Sequence, residues 1–185
     1  MSASLQASLE TIRALPAFAS LSAAGQKLLS DSAVEVEFGE GQLICAGDVV
    51  GERVLVVIEG EARRLAERDG RPFTLERLGA GGIIGLVSLL RAEGCEATSA
   101  ATAVRALAIP DALVVELIQS EAGFRRWCCE TVWLPELHAL LLREDRTSAT
   151  GGSFDPVAWR ERLTRLQAAV RGLEARPGQR PPALD

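Results

Sequence analysis

The sequence lacks the features that would assign it to a membrane or to a nucleic acid. It has no run of about 20 apolar residues that could cross a bilayer. Its start, MSASLQASLETIRALPAF, lacks the basic segment and long apolar stretch of a signal peptide. Basic residues are not in excess either, since the formal net charge is −5. DNA affinity depends on basic groups that neutralise phosphates, so we predict no binding of nucleic acid. From the missing apolar run and signal peptide we predict a cytoplasmic protein that does not insert into a membrane.

The sequence is also poor in metal-binding and nucleophilic residue pairs. His138 is the only histidine, whereas metal-dependent β-barrel enzymes build their sites from several histidines and a carboxylate. The cysteines at positions 45, 95, 128 and 129 show no CxxC spacing and are interpreted as free cytosolic thiols. No sequence around them indicates a Cys/His nucleophile. We therefore predict no catalytic residue, no metal and no cofactor, and a protein that is not an enzyme.

Short β-strands separated by glycine-containing turns dominate the middle of the chain. The Asp69-Gly70 pair predicts a hairpin, because it supplies the positive φ angles that a tight turn needs. Several short strands at even spacing indicate a sandwich or barrel. We predict a mainly β fold with flanking helices, a double-stranded β-helix or jelly roll. The predicted strands are VEVEF, QLICA, VLVVIEG, EARRLAE, PFTLERL and ATAVRALAI.

Helical patterns flank this β region on both sides. Leucine and isoleucine recur at helical spacing before Pro16, and Ser22 can cap a second helix. Near the end, apolar residues from Trp159 to Leu173 recur at spacings of four and three. That stripe predicts packing either on its own domain or on another helix, so the C-terminal helices are candidates for a homodimer or partner-protein contact. The expected divisions are N-terminal helices 1–32, a β-roll 33–120, C-terminal helices 121–146, a linker 147–153, and an amphipathic helix with a proline-rich tail 154–185.

Two segments in this region carry a family resemblance. FGEGQLICAGDVVGERVLVVIEGEARRL has glycines at positions 39, 47 and 60, between strands, and LERLGAGGIIGLVSLL follows it. Over about residues 15–120 the chain resembles the cyclic nucleotide-binding domain family, which includes catabolite activator regulators, kinase regulatory subunits and cyclic-nucleotide-gated channels. The resemblance implies a jelly-roll fold, ligand sensing, and left-handed turns at the glycines.

The second segment resembles the start of the family's phosphate-binding cassette. There a Gly-Glu-Leu or Gly-Glu-Ile segment opens a short helix whose N–H groups meet the cyclic phosphate. The glutamate takes the ribose hydroxyl, and a downstream arginine pairs with the phosphate. By this resemblance the candidate ligand-binding residues are Gly85, Leu86, Val87, Ser88, Arg91, Glu96, Ala97 and Thr98.

The cassette of this chain departs from the family pattern at both charged positions. Leu86 replaces the ribose-binding glutamate, and the family's arginine falls between Gly94 and Glu96, where no arginine stands. Loss of a charged partner for a buried phosphate costs about 2–5 kcal/mol, roughly 30-fold to several-thousand-fold in affinity. The negative charge of Glu96 would repel the phosphate as well. We therefore predict weak or lost binding of cyclic AMP and cyclic GMP, unless Arg91 in the same loop supplies the cation.

The resulting functional prediction is a regulatory or interaction module, for example within a transporter or signalling assembly. One alternative is a genuine sensor of a cyclic nucleotide or another small anionic ligand. A second alternative is a transcriptional regulator of the catabolite activator type that lacks its DNA-binding domain. The 65 residues after Ser120 show no helix-turn-helix pattern.

Overall fold

A computed structural model describes residues 3–68, 71–131 and 133–138. The chain divides into two compact units, residues 1–128 and residues 129–185. Within the second unit, residues 134–138 form a helical turn that includes His138. The linker at 147–153 and the stripe from Trp159 to Leu173 lie outside the described residues, and the account below concerns the first unit.

Two helices precede the β-strands. Helix α1 covers Ala3–Arg13 and helix α2 covers Ala23–Ser32. The hydroxyl of Ser22 accepts the backbone N–H of Gly25 at 3.2 Å, so the predicted cap of the second helix is confirmed. Leu9 and Leu29 are fully buried beneath these helices, which pack against the strands that follow.

Eight strands and one short helix form the central part of the unit. Their alternating or continuous apolar sequences bury one or both faces of each strand. The elements are β1 (Val34–Phe38), β2 (Leu43–Cys45), β3 (Arg53–Glu59), β4 (Ala62–Arg68), β5 (Arg71–Leu78), β6 (Ile83–Ile84), α3 (Leu86–Arg91), β7 (Thr98–Ala100) and β8 (Val104–Pro110).

The strands form two antiparallel four-stranded sheets. The first has the order β1-β8-β3-β6, and the second has the order β2-β7-β4-β5. The apolar core lies between them, and it includes Val57, Ala62, Ala100 and Ala106, each 1% exposed or less. The predicted mainly β jelly roll with flanking helices is therefore confirmed.

The hairpin of β4 and β5 is confirmed, with Arg68 paired opposite Arg71, although residues 69 and 70 themselves lie outside the described part. Strands β6 and β7 were not predicted. β6 has only two residues, and β7 consists of the small, mostly polar residues Thr98–Ala100, so neither shows the apolar pattern by which a strand is recognised in sequence.

Glycine serves different purposes at the positions that carried the resemblance. Gly60 has a φ of +87°, and a Cβ there would overlap the carbonyl oxygen of Ala103, so only glycine fits. Gly39 and Gly47 do not have positive φ, and the prediction of a left-handed turn is wrong for them. Gly47 is needed for space instead, because its Cβ would lie 3.0 Å from that of Ala97.

Two further helices close the unit, α4 (Asp111–Ser120) and α5 (Ala122–Glu130). Asp111 is the first helical residue and Pro110 occupies the cap position. Phe124 is buried and stacks on Phe18 at a centroid distance of 5.5 Å, whereas Trp127 is only half-buried. No helix within the described residues is both long and apolar enough to span a membrane.

A single carboxylate joins the two helical corners. Glu121 lies between α4 and α5, and its side chain accepts the backbone N–H of Ser22 at 3.1 Å and the hydroxyl of Ser22 at 2.5 Å. These hydrogen bonds hold the pKa of Glu121 below its ordinary value of 4.5. Gly25 leaves room for the contact, since a Cβ there would lie 2.6 Å from the carboxylate. The start of α2 is thus tied to the junction of α4 and α5.

Replacement of Glu121 by glutamine should lower the free energy of unfolding at pH 7, because the amide loses the charge that the two Ser22 bonds favour. A lowered folded pKa contributes stability above the ordinary pKa, and that contribution disappears as the pH falls through the folded value. In urea unfolding experiments, the difference in free energy of unfolding between Glu121→Gln and wild type should therefore be smaller at pH 3 than at pH 7. Ser22→Ala should cost about 1 kcal/mol through loss of the cap.

Glu116→Gln is the matched control, because Glu116 is an exposed carboxylate on α4. It should change stability little at either pH. If Glu121→Gln lowers the free energy of unfolding by the same amount at pH 7 and at pH 3, the charge of Glu121 does not stabilise this corner.

Candidate functional site

The predicted cassette is built around the turn from β6 into α3. Gly85 has a φ of +86° and stands at the cap position of α3, where it has no side chain to bond the helix N–H groups. The next residues, Leu86, Val87 and Ser88, are buried. The short helix predicted for VSLLRA is therefore present, and its first turn needs an acceptor from elsewhere in the chain.

Glu96 supplies that acceptor. Its carboxylate returns over α3, and Oε2 accepts the backbone N–H of Ser88 at 2.9 Å. The side chain is fully buried. A carboxylate at a helix N-terminus is stabilised by the unpaired N–H groups and by the helix dipole, so Glu96 caps α3 in place of Gly85.

Arg64 of β4 neutralises this buried carboxylate. Its Nη2 donates to Glu96 Oε1 at 2.9 Å and to the carbonyl of Ile83 at 2.8 Å, and its Nη1 donates to Glu76. The Arg64 side chain is 2% exposed and that of Glu96 is 0% exposed. The loop that lacks its own arginine thus receives a guanidinium from a strand 32 residues away.

Sequence reasoning missed Arg64, although one signal was available. Along β4, Arg64 alternates with Ala62 and Ala66, and Ala62 is fully buried. An arginine at an inward position of a strand requires a buried anionic partner, because an unpaired charge in the core is very costly. The alternation of inward and outward residues along β4 therefore indicated that Arg64 has a buried partner. It did not indicate which carboxylate that partner is.

The structure brings only part of the predicted set together. Ser88 Oγ accepts the backbone N–H of Cys95 at 3.1 Å, and Thr98 Oγ1 donates to the carbonyl of Glu96 at 3.2 Å. The carbonyl of Ala97 accepts the N–H of Leu65 at 2.7 Å, which ties the loop to β4. These bonds hold the loop against α3.

Arg91 is positioned at the far end of α3. Its guanidinium lies 3.4 Å from the carboxylate of Glu93, and its side chain is 13% exposed. The cation bound to Glu96 is Arg64 and not Arg91. Leu86, which stands where the family has its ribose-binding glutamate, is 2% exposed and belongs to the apolar core.

A cavity of about 380 Å³ opens beside Gly85, between the first sheet and β2. The side chains that form its inner wall are apolar apart from the thiol of Cys45. Glu52 and Arg53 also line it, and because both side chains are exposed we place them at its opening. The remaining lining residues are Val36, Phe38, Ile44, Cys45, Ala46, Val49, Gly51, Leu55, Ile84, Gly85 and Ala108.

The thiol of Cys45 is uncharged at neutral pH. Burial is the main cause that raises its pKa to about 11, and the charges of Glu96 and the Cys95 thiol add to it, while Arg64 acts in the opposite direction. Burial also raises the pKa of Cys95. The carboxylate of Glu96 is therefore close enough to the cavity to act on a group in its wall.

None of the four cysteines forms a disulfide bond. Within residues 3–68, 71–131 and 133–138, no group of three or more histidine, cysteine, aspartate or glutamate side chains could hold a metal ion.

Arg64→Met should lower the free energy of unfolding by about 3–5 kcal/mol, because it leaves Glu96 as a buried charge without its cation. Arg77→Met is the matched control. Arg77 pairs with Glu61, but its side chain is 66% exposed, and such surface pairs contribute about 1 kcal/mol or less. Urea unfolding at pH 7 measures both, and equal costs would contradict the importance given to the buried pair.

Alkylation of Cys45 by iodoacetamide should be slow at pH 8 and should accelerate only as the pH approaches about 11, since the thiolate is the reactive form. Glu96→Ala removes one of the charges that raise this pKa, so the acceleration should move to lower pH. Peptide mass spectrometry with exposed Cys129 as internal reference measures the rates. Fast labelling of Cys45 at pH 8 would contradict this account.

Comparisons with known proteins agree with this geometry. Residues 35–121, a little under half of the chain, match the family model of the cyclic nucleotide-binding domain. The cAMP-dependent protein kinase regulatory subunit of Mycosarcoma maydis is 29% identical over 135 residues, which cover 73% of this chain and 25% of that protein. The chain thus spans about a quarter of the length of this curated relative.

Solved structures of related regulatory proteins share the fold. The regulatory domain of Toxoplasma gondii PKA with cAMP has a TM-score of 0.63 and 16% identity, over 70% of this chain and 50% of that one. A regulatory subunit of a cAMP-independent protein kinase A from Trypanosoma cruzi, bound to guanosine, has a TM-score of 0.65 and 18% identity, over 82% of this chain and 53% of that one. With the β-roll, the Gly85 turn and the family match in agreement, residues 35–121 belong to the cyclic nucleotide-binding domain family.

Proposed function

We propose that this domain is a non-enzymatic, cytoplasmic regulatory module in which cyclic nucleotide binding is weak or lost. The observation that carries the proposal is the position of the Glu96 carboxylate, which accepts the Ser88 N–H and pairs with Arg64. The family's cassette offers helix N–H groups to a cyclic phosphate. Here one of those donors is bonded to an anion of the chain itself.

A phosphate could enter only at a high free-energy cost. It would have to share the site with the buried Glu96 carboxylate, and two like charges in a low-dielectric site repel strongly. The other route is to displace Glu96, which would separate it from Arg64 and from the Ser88 N–H. Breaking a buried ion pair costs about 3–5 kcal/mol, and the ligand would have to compensate for this before any affinity is gained.

Two proteins with the same fold support the idea that the domain can work without cyclic AMP. The Trypanosoma cruzi subunit is from a cAMP-independent kinase and is bound to guanosine, a ligand without a phosphate. The corresponding Trypanosoma brucei structure in complex with cAMP is of a triple mutant, in which one glutamate becomes alanine and one threonine becomes arginine. In this chain Glu96 stands in the loop before β7, and no arginine stands beside it.

The regulatory part of the proposal follows from the relatives that share the domain. The curated relative is a regulatory subunit of a kinase. We propose that the domain of this chain transmits a signal or holds a partner protein within a larger assembly, with its C-terminal helices as the contact for a second copy or another protein.

Isothermal titration of the wild-type chain with cyclic AMP and cyclic GMP should show no binding up to ligand concentrations of about 100 µM, because a missing charged partner weakens affinity roughly 30-fold or more. The double variant Cys95→Arg, Glu96→Ala should gain at least about tenfold in affinity for cyclic AMP. Cys95 is the natural position for the cation, since its N–H already bonds Ser88. Micromolar binding by the wild type would overturn the proposal.

The matched control is Cys95→Arg, Glu93→Ala, which makes the same net change in charge in the same loop but keeps Glu96 in place. Glu93 is 57% exposed. This variant should bind far less cyclic AMP than the first one. Thermal denaturation of each variant checks folding, which we expect to persist because Arg64 retains Glu76 and the Ile83 carbonyl.

A further inference from the structure

The apolar core of the β-roll is left open at one end. Val36, Phe38, Ile44 and Cys45 pack against the core cluster but remain only partly buried. All four line the cavity beside Gly85. Contact between these apolar side chains and water is unfavourable. An apolar ligand that covers the side chains would remove that contact.

The size and shape of this space suit a small molecule. Its volume of about 380 Å³ lies within the range of roughly 300–1,000 Å³ typical of ligand pockets. Small residues create the room, since Ala46, Gly51, Gly85 and Ala108 all lie in the wall. The cavity also borders the cassette, because Ile84 and Gly85 line it and lead directly into α3.

The wall selects against charge and against many polar groups. It contains no serine, threonine, asparagine or glutamine, and its two charged residues, Glu52 and Arg53, are exposed. The buried charges nearby, Arg64 and Glu96, are bonded to each other. A ligand with a phosphate or carboxylate would therefore find no buried partner, and ribose hydroxyls would find no hydroxyl or amide side chain.

We propose that this cavity binds an uncharged, predominantly apolar small molecule, which contacts Ile44, Leu55 and Ile84. The inference rests on the proposed function, in which Glu96 fills the anion position of the cassette. It goes further by naming the class of ligand that the remaining space accepts. The ligand would contact β6 beside Gly85. Its binding would therefore act on the chain close to the hydrogen bond between Glu96 and Ser88.

Two probes with the same aromatic frame test the charge preference. N-phenyl-1-naphthylamine is uncharged, and 1-anilinonaphthalene-8-sulfonate adds a sulfonate. Fluorescence titration of the full chain should show saturable one-to-one binding of the uncharged probe, at least about tenfold tighter than the sulfonate. Methyl NMR should show shifts at Ile44 and Leu55, and none at Val115 on the surface of α4. Absence of saturable binding, or shifts confined to other residues, would overturn the proposal.

Variants of the wall test the location. Ala46→Phe fills space in the cavity and should weaken the uncharged probe by about tenfold or more, and Val49→Asp places a charge at its edge and should also weaken it. Val49 is 54% exposed, so this second variant should fold even if the first does not. Val115→Asp is the matched control, because Val115 is 40% exposed and lies outside the cavity, and it should bind like wild type. Unchanged binding in both wall variants would overturn the proposal.

Parallel titrations with guanosine and cyclic AMP separate the two proposals. Guanosine binding tighter than that of the uncharged apolar probe would overturn the apolar class of ligand, but not the loss of phosphate binding. Micromolar binding of cyclic AMP would overturn the proposed function, whatever the apolar probe does. Binding of the uncharged probe alone is the expected result.

Discussion

The buried pair of Arg64 and Glu96 is the interaction on which the site depends. Arg64 belongs to the second sheet, and it also bonds the carbonyl of Ile83 in the first sheet. Glu96 bonds the N–H of Ser88 in α3. Burial of two charges is costly, and hydrogen bonds to further groups offset part of that cost. Here the ion pair and its hydrogen bonds join both sheets to the cassette helix.

This pair explains why the cassette and the cavity beside it have different chemistry. The charges are confined to the contact between β4 and the loop before β7, where each has its partner. The cavity wall is left with aliphatic groups, one aromatic ring and the neutral thiol of Cys45. A cyclic nucleotide needs both parts at once, an anion position and a space for the base. Under the proposed function Glu96 occupies the anion position of this chain, and the cavity is the part left for a ligand.

Much of the fold was predictable because local patterns specify it. Alternation and apolar runs identified six of the eight strands, and Ser22 marked the start of α2. β6 and β7 were not predictable in this way, because β6 has only two residues and the residues of β7, Thr98–Ala100, are small and mostly polar. The resemblance located Gly85 and the absence of a cationic partner in the loop. It could not identify Arg64, since the pairing with Glu96 joins residues 32 apart that meet only after both sheets form. Nor does any local pattern predict a cavity, which arises where residues from five strands and a loop fail to fill the space between the sheets.

Two helices of this unit take their N-terminal acceptor from a distant carboxylate, with different consequences. Glu96 caps α3 in the buried interior, and Glu121 reinforces the cap of α2 in an exposed position. When the exposed contact opens, water hydrates the released groups at once. The buried contact opens only if the charge of Glu96 is left without its partner in the core, while Arg64 keeps Glu76. Any rearrangement that follows ligand binding should therefore occur first at the corner of Ser22 and Glu121, while α3 stays attached to the β-roll through Glu96.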